Sequence, residues 1–216
     1  MLQTNNLILL GLLWLSYFLI HSLLASLWLK QWVAYRYPGL TPWHRIIFNA
    51  LAGLLFLPLL AQLWWSSSEP LWSWQGSMAW LAYTLMLLAC LGFVWSLRYY
   101  DGNEFLGFRQ LQKHQQEVYD QEQLHISPMH RFVRHPWYSL GLVLVWTQDM
   151  DPARLLSALL ITLYLIVGSR LEENKLITFH GDIYLAYQKR VPSLIPNPWR
   201  FLSQQQAQQL QQHHDY

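Results

Sequence analysis

Three uninterrupted apolar stretches fill most of the first half of the chain. Residues 7–29, 46–65 and 76–97 contain no Asp, Glu, Lys or Arg. Each reaches the roughly 20 residues that a helix needs to cross about 30 Å of hydrocarbon, so each predicts a membrane-spanning helix. The first lacks the basic leader and small-residue cleavage site of a signal peptide and is expected to be retained. A fourth apolar region, 138–168, is broken by Gln148-Asp149-Met150-Asp151-Pro152. Two carboxylates are costly in lipid, and a proline suits the first turn of a new helix. The pattern therefore predicts a hairpin, with a short helix over about 137–147 and a second over about 152–169. The first arm is short for a full crossing: either it extends back through Trp137 or the hairpin is partly embedded in protein.

Three pieces do not span. Residues 98–135 form a polar loop that is expected to be partly helical. Residues 172–190 place Leu176, Phe179, Ile183 and Tyr187 at spacings of three and four, which predicts a helix lying at the membrane interface. Residues 203–216 are glutamine-rich, either a helical extension or disordered, and carry no assigned chemistry. The expected fold is all-α and polytopic, with about five transmembrane helices, the last two a hairpin, plus cytoplasmic and interfacial helices. One membrane domain covers 1–202, and a tail covers 203–216.

Composition agrees. Of 216 residues, 53% are hydrophobic and 12% are charged, against about 25% charged in an average soluble domain. The single cysteine, Cys90, lies in an apolar run, which excludes a disulfide framework and a thiolate metal cluster. Charge placement sets an orientation. With five spans, 13 of the 14 Lys and Arg residues fall on one face and only Arg154 falls on the other, so the N-terminus is expected outside and the C-terminus in the cytoplasm of an inner (plasma) membrane protein. Trp64, Trp65, Trp72, Trp74 and Trp80 flank the outer ends of spans two and three as an aromatic belt.

The candidate chemistry sits around the hairpin. Arg134-His135-Pro136-Trp137-Tyr138 opens its first arm, and Leu171-Glu172-Glu173-Asn174-Lys175-Leu176 follows its second. Proline fixes the helix entry and forces the preceding histidine towards an extended conformation, which holds the Arg-His pair rigidly at the membrane edge. Two acids at a helix C-terminus are unfavourable there. Brought beside Arg134 and His135 they would close a polar pocket against hydrocarbon, suited to a ligand part charged and part apolar. A plain basic anchor and a solvated charged face are the simpler explanations for each motif alone. His114, His125 and His130 match no tight metal-ligand spacing, so no metal centre is expected. His21, inside the first span, needs a partner, for which a helix–helix hydrogen bond is the simplest role.

In order, Arg-His-Pro-x-Tyr, the hairpin, Leu-Glu-Glu-x-x-Leu, Gly181-x-x-Tyr184-x-x-Tyr187 and Arg190-Val191-Pro192-Ser193-Leu194-Ile195-Pro196 resemble the integral-membrane methyltransferases. That group contains isoprenylcysteine carboxyl methyltransferases and bacterial phospholipid methyltransferases. The resemblance covers residues 127–196. Glu104-Phe105-Leu106-Gly107-Phe108-Arg109-Gln110 is similar to a loop of bacterial methanethiol S-methyltransferases. His21-Ser22-Leu23-Leu24-Ala25 and Asn49 also resemble that subfamily and the related NnrU-like proteins. The chain departs from the group with Pro128 and His130 where a glycine and a tyrosine are common, and with glutamate rather than aspartate at position 104.

The resemblance implies S-adenosylmethionine as methyl donor and a small thiol or lipophilic acceptor, methanethiol first, giving dimethyl sulfide. It implies a cofactor site built from Arg131, Arg134, His135, Pro136, Tyr138, Glu172, Glu173, Tyr184, Tyr187 and Arg190. Arg134 or Arg190 would hold the cofactor's carboxylate, Glu173 ahead of Glu172 its ribose or ammonium, and the two tyrosines its adenine or sulfonium. His135 and Glu104 are the candidates to accept the thiol proton, and Arg109 could stabilise the thiolate. The lipid bilayer is an expected partner and nucleic acid is not. The acceptor and the oligomeric state stay open. Two alternatives remain, a sterol-reductase-like enzyme using NADPH and a non-catalytic NnrU-like membrane factor.

Overall fold

A computed structural model describes residues 2–113 and 124–212. Nine helices are seen among the described residues: α1 Leu2–Ala25, α2 Leu27–Arg36, α3 His44–Trp65, α4 Gly76–Ser96, α5 Gly102–Leu106, α6 Phe108–Gln112, α7 Pro136–Trp146, α8 Pro152–Arg190 and α9 Gln204–Gln212. No strand is present among them. His114, His213 and His214 lie outside the described residues.

Four segments are long and apolar enough to cross a membrane: Gln3–Ala25, Pro38–Trp65, Gly76–Tyr99 and Pro152–Arg190. Most of their leucines point outward. Leu12, Leu19, Leu54, Leu57, Leu87 and Leu88 are all exposed, a surface that only hydrocarbon covers without cost. The protein is an all-α polytopic membrane protein, as its pattern predicts. Cys90 is on this outward surface, an inert apolar position.

The hairpin is present, its first arm as short as expected and its second arm different. Its first arm, α7, is an 11-residue helix, about 16 Å long at 1.5 Å per residue, so it does not cross alone. Its second arm does not stop near 169 to start a separate interfacial helix. α8 continues to Arg190 with one break, at Gly181 (φ 54, ψ −129), a conformation that glycine alone adopts freely. Nothing in 169–175 terminates a helix, because Leu, Glu and Lys all propagate one.

The chain forms two compact units. The first contains Met1–Ser73, Tyr100–Asp120 and Asp149–Leu160; the second contains Trp74–Tyr99, Gln121–Gln148 and Ile161–Tyr216. In the first, α1 and α3 run antiparallel: Gln62 near the end of α3 donates to the Asn6 carbonyl at the start of α1 (3.2 Å). Trp14 of α1 donates to Ser157 of α8 (2.9 Å). The hairpin tip pairs with the loop after α3, Met150 N–H donating to Trp72 O (3.0 Å) and Leu71 N–H to Met150 O (2.6 Å). Buried Asp151 caps α8 through the Arg154 amide (2.8 Å) and side chain (3.1 Å), which supplies the missing acceptor for a helix start. His21 stacks on Tyr17 (5.6 Å between ring centres) and meets Phe48 of α3 (5.0 Å).

In the second unit α7 packs along α4, a 21-residue helix about 31 Å long. Two indoles bridge the mismatch in length. Trp74, before α4, donates to Gln148 O (3.2 Å), and Trp137, at the start of α7, donates to Ser96 Oγ (2.9 Å). The start of α7 therefore lies level with the far end of α4. Beyond it, Tyr184, Tyr187 and Val191 of the α8 end form a core with Ile126, Leu202 and Ala207. The glutamine-rich segment is an ordered helix, α9, because Ala207 and Leu210 give it an apolar face on that core.

Candidate functional site

The residues that bring the site together are the last few before α7. Pro136 occupies the first position of α7, and His135 ahead of it is extended (φ −123, ψ 73). Their backbone is clamped by the segment after α8: Arg134 N–H donates to Pro192 O (2.9 Å) and His135 N–H to Ser193 O (3.1 Å). Ser139 Oγ donates to Leu194 O (2.5 Å). α8 starts at the hairpin tip, and Glu172 lies 20 residues on, about 30 Å along its axis, a length comparable to the thickness of a bilayer's hydrocarbon. Glu172 and Glu173 thus meet Arg134 and His135 at the apolar boundary.

Glu173 is the hub. Its Oε1 accepts from Arg134 Nε (2.9 Å) and Nη2 (2.8 Å), from His135 Nε2 (3.0 Å) and from Ser193 Oγ (2.9 Å). Its Oε2 accepts from Gln188 Nε2 (2.8 Å). Arg134 also donates through Nη1 to the carbonyls of Gln188 (3.1 Å) and Val191, orphan acceptors at the end of α8. Both side chains are 8% exposed. A charge pair this dry is tolerable only because nearly every donor and lone pair is matched.

Glu172 is different. Its side chain is 38% exposed, and Oε2 receives His135 Nδ1 (3.4 Å) and the Tyr138 hydroxyl (3.3 Å). Among the described residues both contacts fall on Oε2. Tyr138 stacks on the His135 ring at 5.3 Å with 11° between planes. Burial disfavours charge on His135, yet contacts to Glu172 and Glu173 outweigh it and raise the imidazole to about 9. At neutral pH it is an imidazolium, donating on both nitrogens and without a lone pair for a thiol proton. Arg134, His135, Glu172 and Glu173 form a net-neutral array.

The other expected residues divide. Arg131 donates through Nε to Leu202 O (2.9 Å), and Leu202 N–H donates to Arg131 O (2.9 Å), so its side chain ties the C-terminal segment down. Tyr184 and Tyr187 are 1% and 2% exposed and belong to the core, edge to face at 5.7 Å. Both occupy the buried stripe of α8. Arg190 is exposed at the helix end. In the first unit, Arg109 pairs with Asp101 and lies 3.7 Å from Glu104. Arg45 Nε and Asn49 Nδ2 both donate to Phe105 O (3.2 and 3.0 Å), fixing that loop on the start of α3. Gly107 (φ 95) allows the close approach: a Cβ there would lie 3.0 Å from Arg45 and Ile46.

Three contributors were given no role in the site from sequence. Ser193 and Gln188 complete Glu173, and only their proximity to Arg190-Val191-Pro192 signalled them. His130 is the third: Ser127 Oγ bonds its Nδ1 (2.7 Å), and the Tyr187 hydroxyl donates to its carbonyl (2.6 Å). Burial, with His125 and His135 nearby, lowers its imidazole to about 4 against the opposing pull of Glu172, so it is neutral.

Comparisons with known proteins point one way. A methanethiol S-methyltransferase of Pseudomonas sp. (strain GM41(2012)) is 30% identical over 156 residues, 68% of this chain and 57% of the relative. Methanethiol S-methyltransferase 2 of Bradyrhizobium diazoefficiens is 33% identical over 192 residues, 88% of this chain and 73% of the relative. A Crocosphaera subtropica methanethiol S-methyltransferase is 29% identical over 182 residues, 82% of this chain and 69% of the relative. The chain spans just over half the length of the Pseudomonas relative. No family model matches the chain, and no solved structure matches it significantly.

Proposed function

Because this chain belongs to the bacterial membrane methyltransferase family whose members above are methanethiol S-methyltransferases, we propose that it uses S-adenosylmethionine to methylate a small thiol, methanethiol first. The observation that carries the proposal is the neutral array of Arg134, His135, Glu172 and Glu173, with the part-exposed Glu172 side chain at its edge.

The donor set fits such a cofactor in part. Glu172, not the saturated Glu173, is the carboxylate to hold a ribose diol or an ammonium, oriented by Tyr138 and His135. Arg134 is committed to Glu173 and the end of α8. Exposed Arg190 is therefore our assignment for the cofactor's carboxylate. Bound, S-adenosylmethionine supplies an electrophilic methyl carbon to a thiolate sulfur and leaves as the neutral thioether. Arg134, His135 and Glu173 keep Glu172 and the start of α7 in place, so alignment costs little reorganisation when the ligands meet. Tyr138, stacked over His135, screens the array from water. With His135 an imidazolium donating on both ring nitrogens, we do not assign it the thiol proton. We place the array and the C-terminus on the cytoplasmic side of the inner membrane, as basic-residue placement favours.

The test is calorimetric titration of S-adenosylmethionine into the full chain in nanodiscs, followed by transfer of its labelled methyl group to methanethiol. Saturable binding, at least ten-fold weaker in Glu172→Gln, with transfer to the thiol in preference to phosphatidylethanolamine, is the expected result. A folded protein that binds no S-adenosylmethionine would end the proposal.

A further inference from the structure

The strap that walls the charged array continues into a turn with an unusual surface. Residues 191–194 are held inward: Val191, Pro192, Ser193 and Leu194 each give a carbonyl to Arg134, His135 or Ser139. Immediately afterwards the chain turns outward. Ile195 is 78% exposed and Trp199 88% exposed. The turn is nonetheless fixed. Asn197 Oδ1 accepts from Trp199 N–H (2.9 Å), Arg200 N–H donates to Asn197 O (3.1 Å), and Arg200 Nη2 donates to Gln188 O (3.1 Å) and Lys189 O (3.0 Å). Phe201 stacks on Phe132 at 5.9 Å, and the Arg131 guanidinium lies 5.6 Å from the Phe132 ring centre.

A rigid turn with exposed isoleucine and tryptophan at its tip is expensive in water. Its charge is one-sided. Residues 183–214 contain Lys189, Arg190 and Arg200 and no Asp or Glu, and Arg131 adjoins them. Its position is set as well. Leu194 O is bonded to Ser139 on the first turn of α7, which lies level with the end of the membrane helix α4. Tryptophan and isoleucine flanked by arginine and lysine at that depth match the boundary of a leaflet bearing negative headgroups.

We propose that the turn 195–201, with Phe132, is a lipid anchor that inserts Ile195 and Trp199 into an anionic leaflet and so braces the wall of the charged array. The occupant is phospholipid with negative headgroups. Because residues 191–194 are one continuous strap with the turn, lipid engagement at the tip stabilises the strap where it is bonded to Arg134, His135 and Ser139. The inference stands apart from the methyl-transfer proposal, since it concerns lipid and not cofactor.

The test uses the full chain carrying Cys90→Ser, with either Trp199→Cys or exposed Gln205→Cys bearing a polarity-sensitive label. It is reconstituted in phosphatidylcholine vesicles with and without phosphatidylglycerol. The expected result is a blue-shifted label at position 199, quenched by brominated lipid and shielded from iodide, more so with phosphatidylglycerol. The label at 205 stays open to iodide. In parallel, phosphatidylglycerol raises the melting temperature of the wild type, and Ile195→Ser with Trp199→Ser removes that gain. Equal iodide access at 199 and 205 would overturn the proposal, as would insertion indifferent to phosphatidylglycerol. Disulfide-linked dimers through position 199 in place of lipid quenching would assign the turn to a second copy and overturn it too.

Discussion

Glu172 and Glu173 are sequence neighbours with opposite environments, and that contrast yields the sharpest substitutions. Glu173 closes a dry array, so Glu173→Ala leaves Arg134 buried without its counter-charge and His135 with Glu172 alone. Breaking a buried pair in this way costs about 3–5 kcal/mol, and thermal unfolding in detergent should register it. Glu172→Gln keeps shape and hydrogen-bonding capacity at a half-exposed position; its expected stability change is within about 1 kcal/mol, while cofactor affinity falls. A Glu172→Gln variant that melts as low as Glu173→Ala would show the two carboxylates to be equivalent. The pH dependence has a definite sign. His135 titrates near 9 when folded against an ordinary 6.5, so its stabilising contribution is full below about 6.5 and disappears as pH rises through about 9. Melting temperature should therefore fall on the alkaline side, and His135→Gln should flatten that limb. A wild type whose melting is level from pH 7 to about 10 would contradict the imidazolium.

Helix boundaries were legible wherever hydrophobic periodicity was long and were lost where phase was interrupted. The starts at Pro136 and Pro152 follow from proline chemistry alone. The stripe near the end of α8 was drawn from Leu176, Phe179, Ile183 and Tyr187, whereas the buried positions are Tyr184, Tyr187 and Val191, backed by Leu176 and Ile177. Gly181 explains the shift, because its positive φ resets the helix phase between residues 179 and 184. The same reset turns Tyr184 inward, which no local pattern could reveal. Likewise Arg134 and Arg190 look alike in sequence, and only the distant carbonyls of Gln188 and Val191 decide which is consumed. Gly181→Ala should test the break. No neighbour lies within 4 Å of an added Cβ, so its cost is backbone strain, about 1–3 kcal/mol. Gly107→Ala carries strain plus a 3.0 Å approach to Arg45 and Ile46 and should destabilise more, the ranking being read by thermal melting. Equal melting of the two would mean that the contact at Gly107 is relieved.

At the scale of the whole molecule the open matter is which ends share a face. Within the first unit, Asn6 meets Gln62 near the end of α3, and the loop after α3 is hydrogen-bonded to the hairpin tip through Trp72 and Met150. The chain's start, that loop and the tip therefore share one face, whereas Arg45 at the other end of α3 holds Phe105. The short α7 does not disturb this order. α8 leaves the tip and runs unbroken as far as Gly181, about 43 Å at 1.5 Å per residue, with Glu172 and Glu173 in the second half of that stretch. Our proposed orientation puts the tip face outside, with Arg154 as its one Lys or Arg. In a Cys90→Ser background, Glu69→Cys and Asp149→Cys should both react with a membrane-impermeant maleimide added to intact cells, and Gln205→Cys only after lysis. Labelling of 205 in intact cells with 69 and 149 protected would reverse the orientation and leave the fold untouched. Opposite labelling of 69 and 149 would contradict the pairing of Leu71 and Trp72 with Met150, which holds the two neighbouring segments together.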